Sequence, residues 1–199
     1  LTHSHADHIA DLPFIIETFF EERSSPLTIY ALEETIDVLQ KHSFNNKIWP
    51  DFPKIKLLKN DNFSLILKPI KINETINIHN YFIKAIHAEH IDGSCGYIVT
   101  KKNQSFIISG DTYINPILWE EINNNKTIKS LIIECSFPDK LENLATLTKH
   151  LTPSLIAKQL QNLKRKDISI FFYHLKPTYK KELLNDIKKH KLLNYQGKI

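Results

Sequence analysis

Leu1-Thr2-His3-Ser4-His5-Ala6-Asp7-His8 places three imidazoles and a carboxylate within eight residues, and the fold turns on how this stretch is read. His3 and His5 stand at i, i+2, a spacing that turns both rings the same way only on an extended or looped backbone; on a helix, paired ligands come at i, i+4. Asp7 and His8 are adjacent, so their side chains are expected to diverge. The pattern therefore suits two neighbouring metal ions sharing one loop, with His3 and His5 on the first and Asp7 and His8 on the second. Imidazole with carboxylate fits zinc, manganese or iron, whereas magnesium or calcium would call for an all-oxygen shell. The competing reading is a histidine-rich loop whose rings only hydrogen-bond to backbone. What separates the two is whether the rest of the chain supplies further ligands, since a catalytic zinc takes about three protein groups and a water.

With 199 residues, 42% hydrophobic and 24% charged, the chain suits one globular domain over 1–199 with a good core. No apolar run reaches membrane-spanning length, because the greasiest stretches, 130–134 and 168–173, are strand-sized and bounded by charge. Cys95 and Cys135 are too few for a disulfide framework and read as small buried apolar groups, which fits a reducing, cytoplasmic setting with the periplasm left open. The net charge of +4 is spread over lysine-rich segments. That favours anionic substrates slightly, without a nucleic-acid footprint. The chain has no methionine and its ligand loop starts at residue 1, so the expectation is an N-terminally truncated domain lacking upstream strands.

Residues 11–23 read as a helix, with Asp11 as N-cap, Pro13 in the first turn, and Phe14, Ile15, Thr18 and Phe19 as its buried stripe. A short strand over 27–31 and a helix over 33–42, carrying Ile36, Leu39 and Gln40 on successive turns, continue the alternation. Residues 45–53, Asn-Asn-Lys-Ile-Trp-Pro-Asp-Phe-Pro, form an ordered loop in which Trp49 and Phe52 either wall a site or pack beneath it. Strands over 63–67, 76–78, 81–86, 96–100 and 105–108 read as one antiparallel run.

Further ligand-type residues then appear at strand ends. His90 follows the strand at 81–86 next to a glycine-bearing turn and is a better ligand candidate than His87, which sits in or just after the strand. Asp111, in Ser109-Gly110-Asp111-Thr112, stands where both carboxylate oxygens can coordinate; the plainer reading is a turn or cap for a helix over 116–122. Glu134 ends an apolar strand over 130–135 and, if buried, needs a partner. His150 precedes a helix over 154–163 with Thr152 as N-cap and Pro153 at its first position. His174 ends a strand over 168–173, and a lysine-faced helix over 179–190 closes the chain. His90, Asp111, Glu134 and His174 thus sit at separate strand exits, where functional residues of layered α/β proteins gather.

HxHxDH, a later strand-end His, GD(T) and a final strand-end His resemble the metallo-β-lactamase superfamily. Within it, THSHADHIADLPF, HSFNNKIWPDF, SGDT, IIECSF, HLTP and FYHLKP resemble the class II 3′,5′-cyclic-nucleotide phosphodiesterases over nearly the whole chain. The resemblance implies an α/β fold, a four-layer αβ/βα sandwich, and two Zn2+ ions, with Mn2+ or Fe2+ as alternatives. It implies His3, His5 and His90 on one metal, Asp7, His8 and His174 on the other, and Asp111 bridging. Asp7 also counts among the catalytic residues with Glu134 and His150, the last two matching a glutamate–histidine pair of the related tRNase Z enzymes. Lys149 and Tyr113 stand where relatives often carry glycine. The implied activity is hydrolysis of cAMP or cGMP to 5′-monophosphates, with a small cyclic nucleotide as partner, no membrane, no nucleic acid, and a homodimer as an option. The alternatives are a tRNase Z-like RNA-processing enzyme, whose family generally carries a glycine-rich arm that a chain with four glycines does not suggest, and a non-catalytic metal-binding protein.

Overall fold

The computed structural model describes residues 1–195; the last four positions of the domain expected over 1–199 lie outside the described residues. The chain divides into two compact units, 1–71 with 91–94, and 72–90 with 95–199.

In the first unit, residues 1–5 carry no regular structure, and the short helices α1 (Ala6–Ile9) and α2 (Leu12–Glu17) follow. The helix expected over 11–23 is shorter: Pro13 stands in the first turn, but the Asp11 side chain makes no cap bond and the chain leaves helical geometry at Thr18. Phe19 adopts a left-handed φ of 59°. The expected stripe is also wrong. Leu12, Pro13 and Ile16 are buried, whereas Phe14 and Ile15 are each 57% exposed and Phe19 is 68% exposed, because the break at Thr18 removes the last turns that would have carried that face inward.

β1 (Leu27–Leu32) leads into α3 (Glu33–Val38), which continues as a π-helical turn, Leu39–Ser43. Ile36 and Leu39 are buried as the period requires, while Gln40 is exposed. The amides of Asn45 and Asn46 organise the next loop, since Asn45 Oδ1 accepts from Lys47 N and Ile48 N at 3.0 Å each and Asn46 Oδ1 accepts from Asp51 N at 3.0 Å. Phe52 is buried with Leu12, Ile16, Ile29, Leu39, Phe44 and Leu65, and Trp49 packs against that core.

β2 (Leu65–Ile70) pairs with β1 in parallel, Leu27 opposite Leu65. Residues 63–67 were expected to open the antiparallel run. Positions 65–67 belong instead to this parallel pair, which no hairpin turn announces and which requires a crossover connection, while Phe63 makes an isolated antiparallel bridge to Lys56. Pro69 is tolerated because β2 has one strand partner among the described residues, and an edge strand can spare an N–H.

The second unit is built on one six-stranded sheet in the order β3 (Thr75–Ile78), β4 (Tyr81–His87), β5 (Cys95–Lys101), β6 (Gln104–Ile108), β7 (Ile128–Glu134), β8 (Ser169–Tyr173). From β3 to β6 neighbours are antiparallel, as expected; β6, β7 and β8 are parallel. β4, β6, β7 and β8 therefore all run the same way. The parallel steps are bridged by α4 (Pro116–Asn124) and by α5 (Glu142–Leu147) with α6 (Pro153–Gln159), and α7 (Lys180–Lys189) follows β8. α5 was not anticipated. α4 is capped by Asn115, whose side chain accepts from Leu118 N, in place of the Asp111 cap. Thr152 caps α6, accepting from Leu155 N at 3.3 Å, with Pro153 at its first position.

The sheet and helices close over Trp119, Ile107, Ile122, Leu131, Ile133, Ile170, Leu183 and Ile187, with Cys135 among them. Cys95 is buried as well. No helix among the described residues is long and apolar enough to cross a membrane.

Candidate metal centre

In the first unit the extended backbone at His5 (φ −61°, ψ 147°) hands the chain to α1, which carries Asp7 in its first turn. The i, i+2 reading holds: the His3 and His5 rings stand 4.8 Å apart, and the His3 and His8 rings 4.2 Å apart. His3 is buried, and its Nδ1 hydrogen-bonds to Thr2 Oγ1 at 3.2 Å, so Nε2 is the ring nitrogen that could serve a metal. Asp7 and His8 do not diverge as expected. The His8 Nε2 and Asp7 Oδ2 atoms lie 3.9 Å apart.

In the second unit, common strand direction brings the exits of β4, β6, β7 and β8 to one edge of the sheet. His90 follows β4, Asp111 follows β6, Glu134 ends β7 and His174 follows β8. Gly110 and His174 both take left-handed φ, 65° and 60°, to turn the chain at the edge. His90, Asp111 and His150 each offer a ligand atom, all within 4.8 Å of one another, and all three are buried. His174 Nε2 lies 3.2 Å from Asp111 Oδ2. His87 is apart from this group and its half-exposed ring faces Glu89 at 3.3 Å. Burial, which disfavours the imidazolium, sets the His174 pKa below the ordinary histidine value; Asp111 opposes this, and Lys176, 3.0 Å from Nε2, adds to it.

Glu134 and His150 pair as expected, with His150 Nδ1 2.8 Å from Glu134 Oε1. Three further donors reach the fully buried carboxylate: Thr112 N at 3.0 Å, Ser136 Oγ at 2.6 Å and Leu151 N at 3.3 Å. A buried carboxylate surrounded in this way is held rigidly and satisfied. Thr112 and Ser136 were missed at the sequence level. The signal available was their place in SGDT and ECSF, beside the carboxylates they serve. Thr112 also accepts from Glu89 N at 2.9 Å, so one residue ties the His90 loop to Glu134.

Lys149 adopts a left-handed φ of 53°. Its carbonyl accepts from His90 Nδ1 at 3.0 Å and its Nζ donates to Glu89 Oε1 at 2.9 Å. Tyr113 reaches Thr146 Oγ1 through its hydroxyl at 3.1 Å. Gly96 is required: a Cβ there would lie 2.6 Å from Ser109 O and 2.7 Å from Ile108 O, on the segment that delivers Asp111.

The donor set of each unit, imidazoles with a carboxylate, fits divalent zinc, manganese or iron. The fold, a sheet whose parallel strands bring histidines and an aspartate to one edge, is that of the metallo-β-lactamase proteins. The solved structures agree. The metallo-β-lactamase fold protein YhfI from Bacillus subtilis superposes with a TM-score of 0.71 at 15% identity, over 99% of this chain and 71% of that one. The Zn2+-bound PqqB from Methylobacterium extorquens gives 0.69 at 13% identity, over 99% and 68%.

Within that class, residues 1–194 match the family model of the class-II cAMP phosphodiesterases, and the chain belongs to this family. The 3′,5′-cyclic-nucleotide phosphodiesterase 1 of Saccharomyces cerevisiae is 30% identical over 186 residues, 82% of this chain and 49% of that protein. The unliganded yeast PDE1 structure matches with a TM-score of 0.79 at 25% identity, covering 98% of this chain and 63% of that one. The chain thus spans about half the length of that curated relative.

Proposed function

We propose that this chain carries the centre of a binuclear metal-dependent phosphodiesterase that hydrolyses 3′,5′-cyclic nucleotides, cAMP or cGMP, to 5′-monophosphates. The observation that carries the reading is the family match over residues 1–194. In this reading the two units act as one domain, with His3, His5 and His90 holding one ion, Asp7, His8 and His174 the other, and Asp111 bridging. Zinc is the resident metal, with manganese or iron as alternatives. A homodimer in the cytoplasm, acting on a small nucleotide, is the setting that goes with it.

Two divalent cations, when bound, supply a water acidic enough to attack at neutral pH and positive charge that offsets the charge building on the phosphoryl oxygens. The remaining work falls to this chain's own groups. Asp7 has a second carboxylate oxygen with which to orient the attacking water and take its proton. His150, oriented through Nδ1 by Glu134, passes a proton from its other ring nitrogen to O3′ as the water oxygen bonds to phosphorus and the P–O3′ bond breaks. A positioned acid of this kind contributes about 10²–10⁴-fold in rate. The four contacts around Glu134 support that role, because an acid whose partner is fixed loses little orientation before the reaction.

The test is to incubate metal-loaded protein with cAMP, cGMP, a precursor tRNA and bis-p-nitrophenyl phosphate and to identify the products. The expected result is 5′-AMP or 5′-GMP. Cleavage of the precursor tRNA in place of the cyclic nucleotides would move the chain to the RNA-processing branch. No turnover of any substrate with metals bound would make it a binding protein.

A further inference from the structure

The sheet edge opposite the proposed catalytic exits is where β4, β6 and β7 begin and β5 ends. It holds a cup of about 380 Å³ whose lining includes Tyr81, Lys101, Lys102, Ser105, Lys129 and Ser130, and no carboxylate. Lys101 Nζ lies 4.3 Å from the centre of the Tyr81 ring and donates to its hydroxyl at 2.9 Å, a neutral partner that leaves its charge uncompensated. Neither Lys101 nor Lys102 meets a carboxylate among the described residues. Lys129 does meet one, Asp167 at 2.9 Å, but Asp167 also takes Arg165 at 2.6 Å. Around the cup, four cations thus share one carboxylate.

Lys102 sits at the rim of the cup. It stands in the two-residue turn between Lys101 and Gln104, which are paired across β5 and β6, with a left-handed φ of 54°. Glycine or asparagine reaches that conformation at less cost, yet the sequence puts lysine there and asparagine at the next position. Three lysines line a pocket of this size with no carboxylate among its lining residues, a charge balance that suits a short phosphate chain, which lysines bind as point charges.

We propose that this cup is a second ligand site, separate from the metal centre, for a small compound carrying a di- or triphosphate group. The site lies at the starts of the strands that lead to His90, Asp111 and Glu134. A ligand there would contact the far ends of the same β4, β6 and β7.

The test is calorimetric titration of the full chain in EDTA, so that no metal can hold phosphate, with pyrophosphate, ATP and AMP as probes. Pyrophosphate and ATP are expected to bind with one-to-one stoichiometry, AMP about tenfold more weakly, and affinity should fall as salt rises. Lys102→Asn and Lys129→Gln should each weaken ATP about fivefold or more, the size of one charge pair. Lys102→Asn keeps or raises the melting temperature, because asparagine suits the turn, so lost binding is not lost folding. Lys47→Gln, on an exposed loop of the first unit, serves as a control with unchanged affinity. Absence of pyrophosphate and ATP binding, or wild-type ATP affinity in both cup variants, would overturn the proposal. Displacement of ATP by an RNA oligonucleotide of higher affinity would overturn it in favour of a nucleic-acid surface.

Discussion

Glu134→Gln changes no volume and removes one acceptor oxygen and one charge. Oε1 serves Thr112 N at 3.0 Å and His150 Nδ1 at 2.8 Å; Oε2 serves Ser136 Oγ at 2.6 Å and Leu151 N at 3.3 Å. The amide of glutamine has one acceptor oxygen, so its NH2 must face one of these pairs. Facing Thr112 and His150 it meets two nitrogens that both donate. Facing Ser136 and Leu151 it meets a hydroxyl that can rotate to accept, together with the longest of the four bonds. The second arrangement is cheaper, so the variant loses the Leu151 bond and the charge assistance in the other contacts. Hydrogen bonds to charged groups contribute about 1.5–3 kcal/mol and neutral ones about 1 kcal/mol, which puts the total near 2–4 kcal/mol. Against a domain stability of about 5–15 kcal/mol the variant still folds. Urea unfolding of wild type and variant at neutral pH, followed by circular dichroism, measures the difference. A change of less than about 0.5 kcal/mol would refute the account of Glu134 as a fully engaged buried carboxylate.

Gly96→Ala should cost about 1–3 kcal/mol, because its Cβ would press on the carbonyls of Ile108 and Ser109, which are backbone and cannot rotate away; a thermal melt indistinguishable from wild type would contradict this. On the proposed ligand set, Asp111→Ala should lose bound metal while His150→Ala keeps metal and loses turnover. Metal analysis after dialysis separates the two roles, and equal metal loss in both would sink the division. Asp139 tests acid stability: burial alone would raise its pKa, but the His190 ring at 2.6 Å, the Ser154 N–H and Lys189 together hold it below the usual carboxylate value. A depressed folded pKa contributes stability above the unfolded pKa and loses it as pH falls through the folded one. Asp139→Asn should therefore be less stable than wild type at neutral pH, with the gap closing below about pH 4; urea midpoints from pH 7 to pH 2 read it, and a gap independent of pH would count against the pairing.

The histidine loop was legible because its information is local: i, i+2 spacing on an extended backbone presents His3 and His5 together. The strand-end residues were legible for a related reason. An apolar run that stops at a histidine or a carboxylate marks a strand leaving the sheet, as Glu134 and His174 do, whereas His90 and Asp111 stand three residues beyond the ends of β4 and β6. The helix expected over 11–23 failed because a good period does not reveal the left-handed Phe19. β2 was misassigned because a parallel partner 38 positions away, Leu27 opposite Leu65, leaves no mark in the turn chemistry of either strand.

Composition and spacing by themselves determined that this is an α/β protein with a histidine-rich loop of ligand spacing and ligand-type residues at strand exits, since those features depend on neighbours within a few positions. Only the tertiary structure decided which strands share a direction, and so which exits share a sheet edge. It alone gathered Thr112, Ser136, His150 and Leu151 around Glu134, and set Lys101, Lys102 and Lys129 around one cup. Contacts of that kind join residues far apart in the chain, and local sequence encodes the ability of each residue to make a bond but not the partner it will meet.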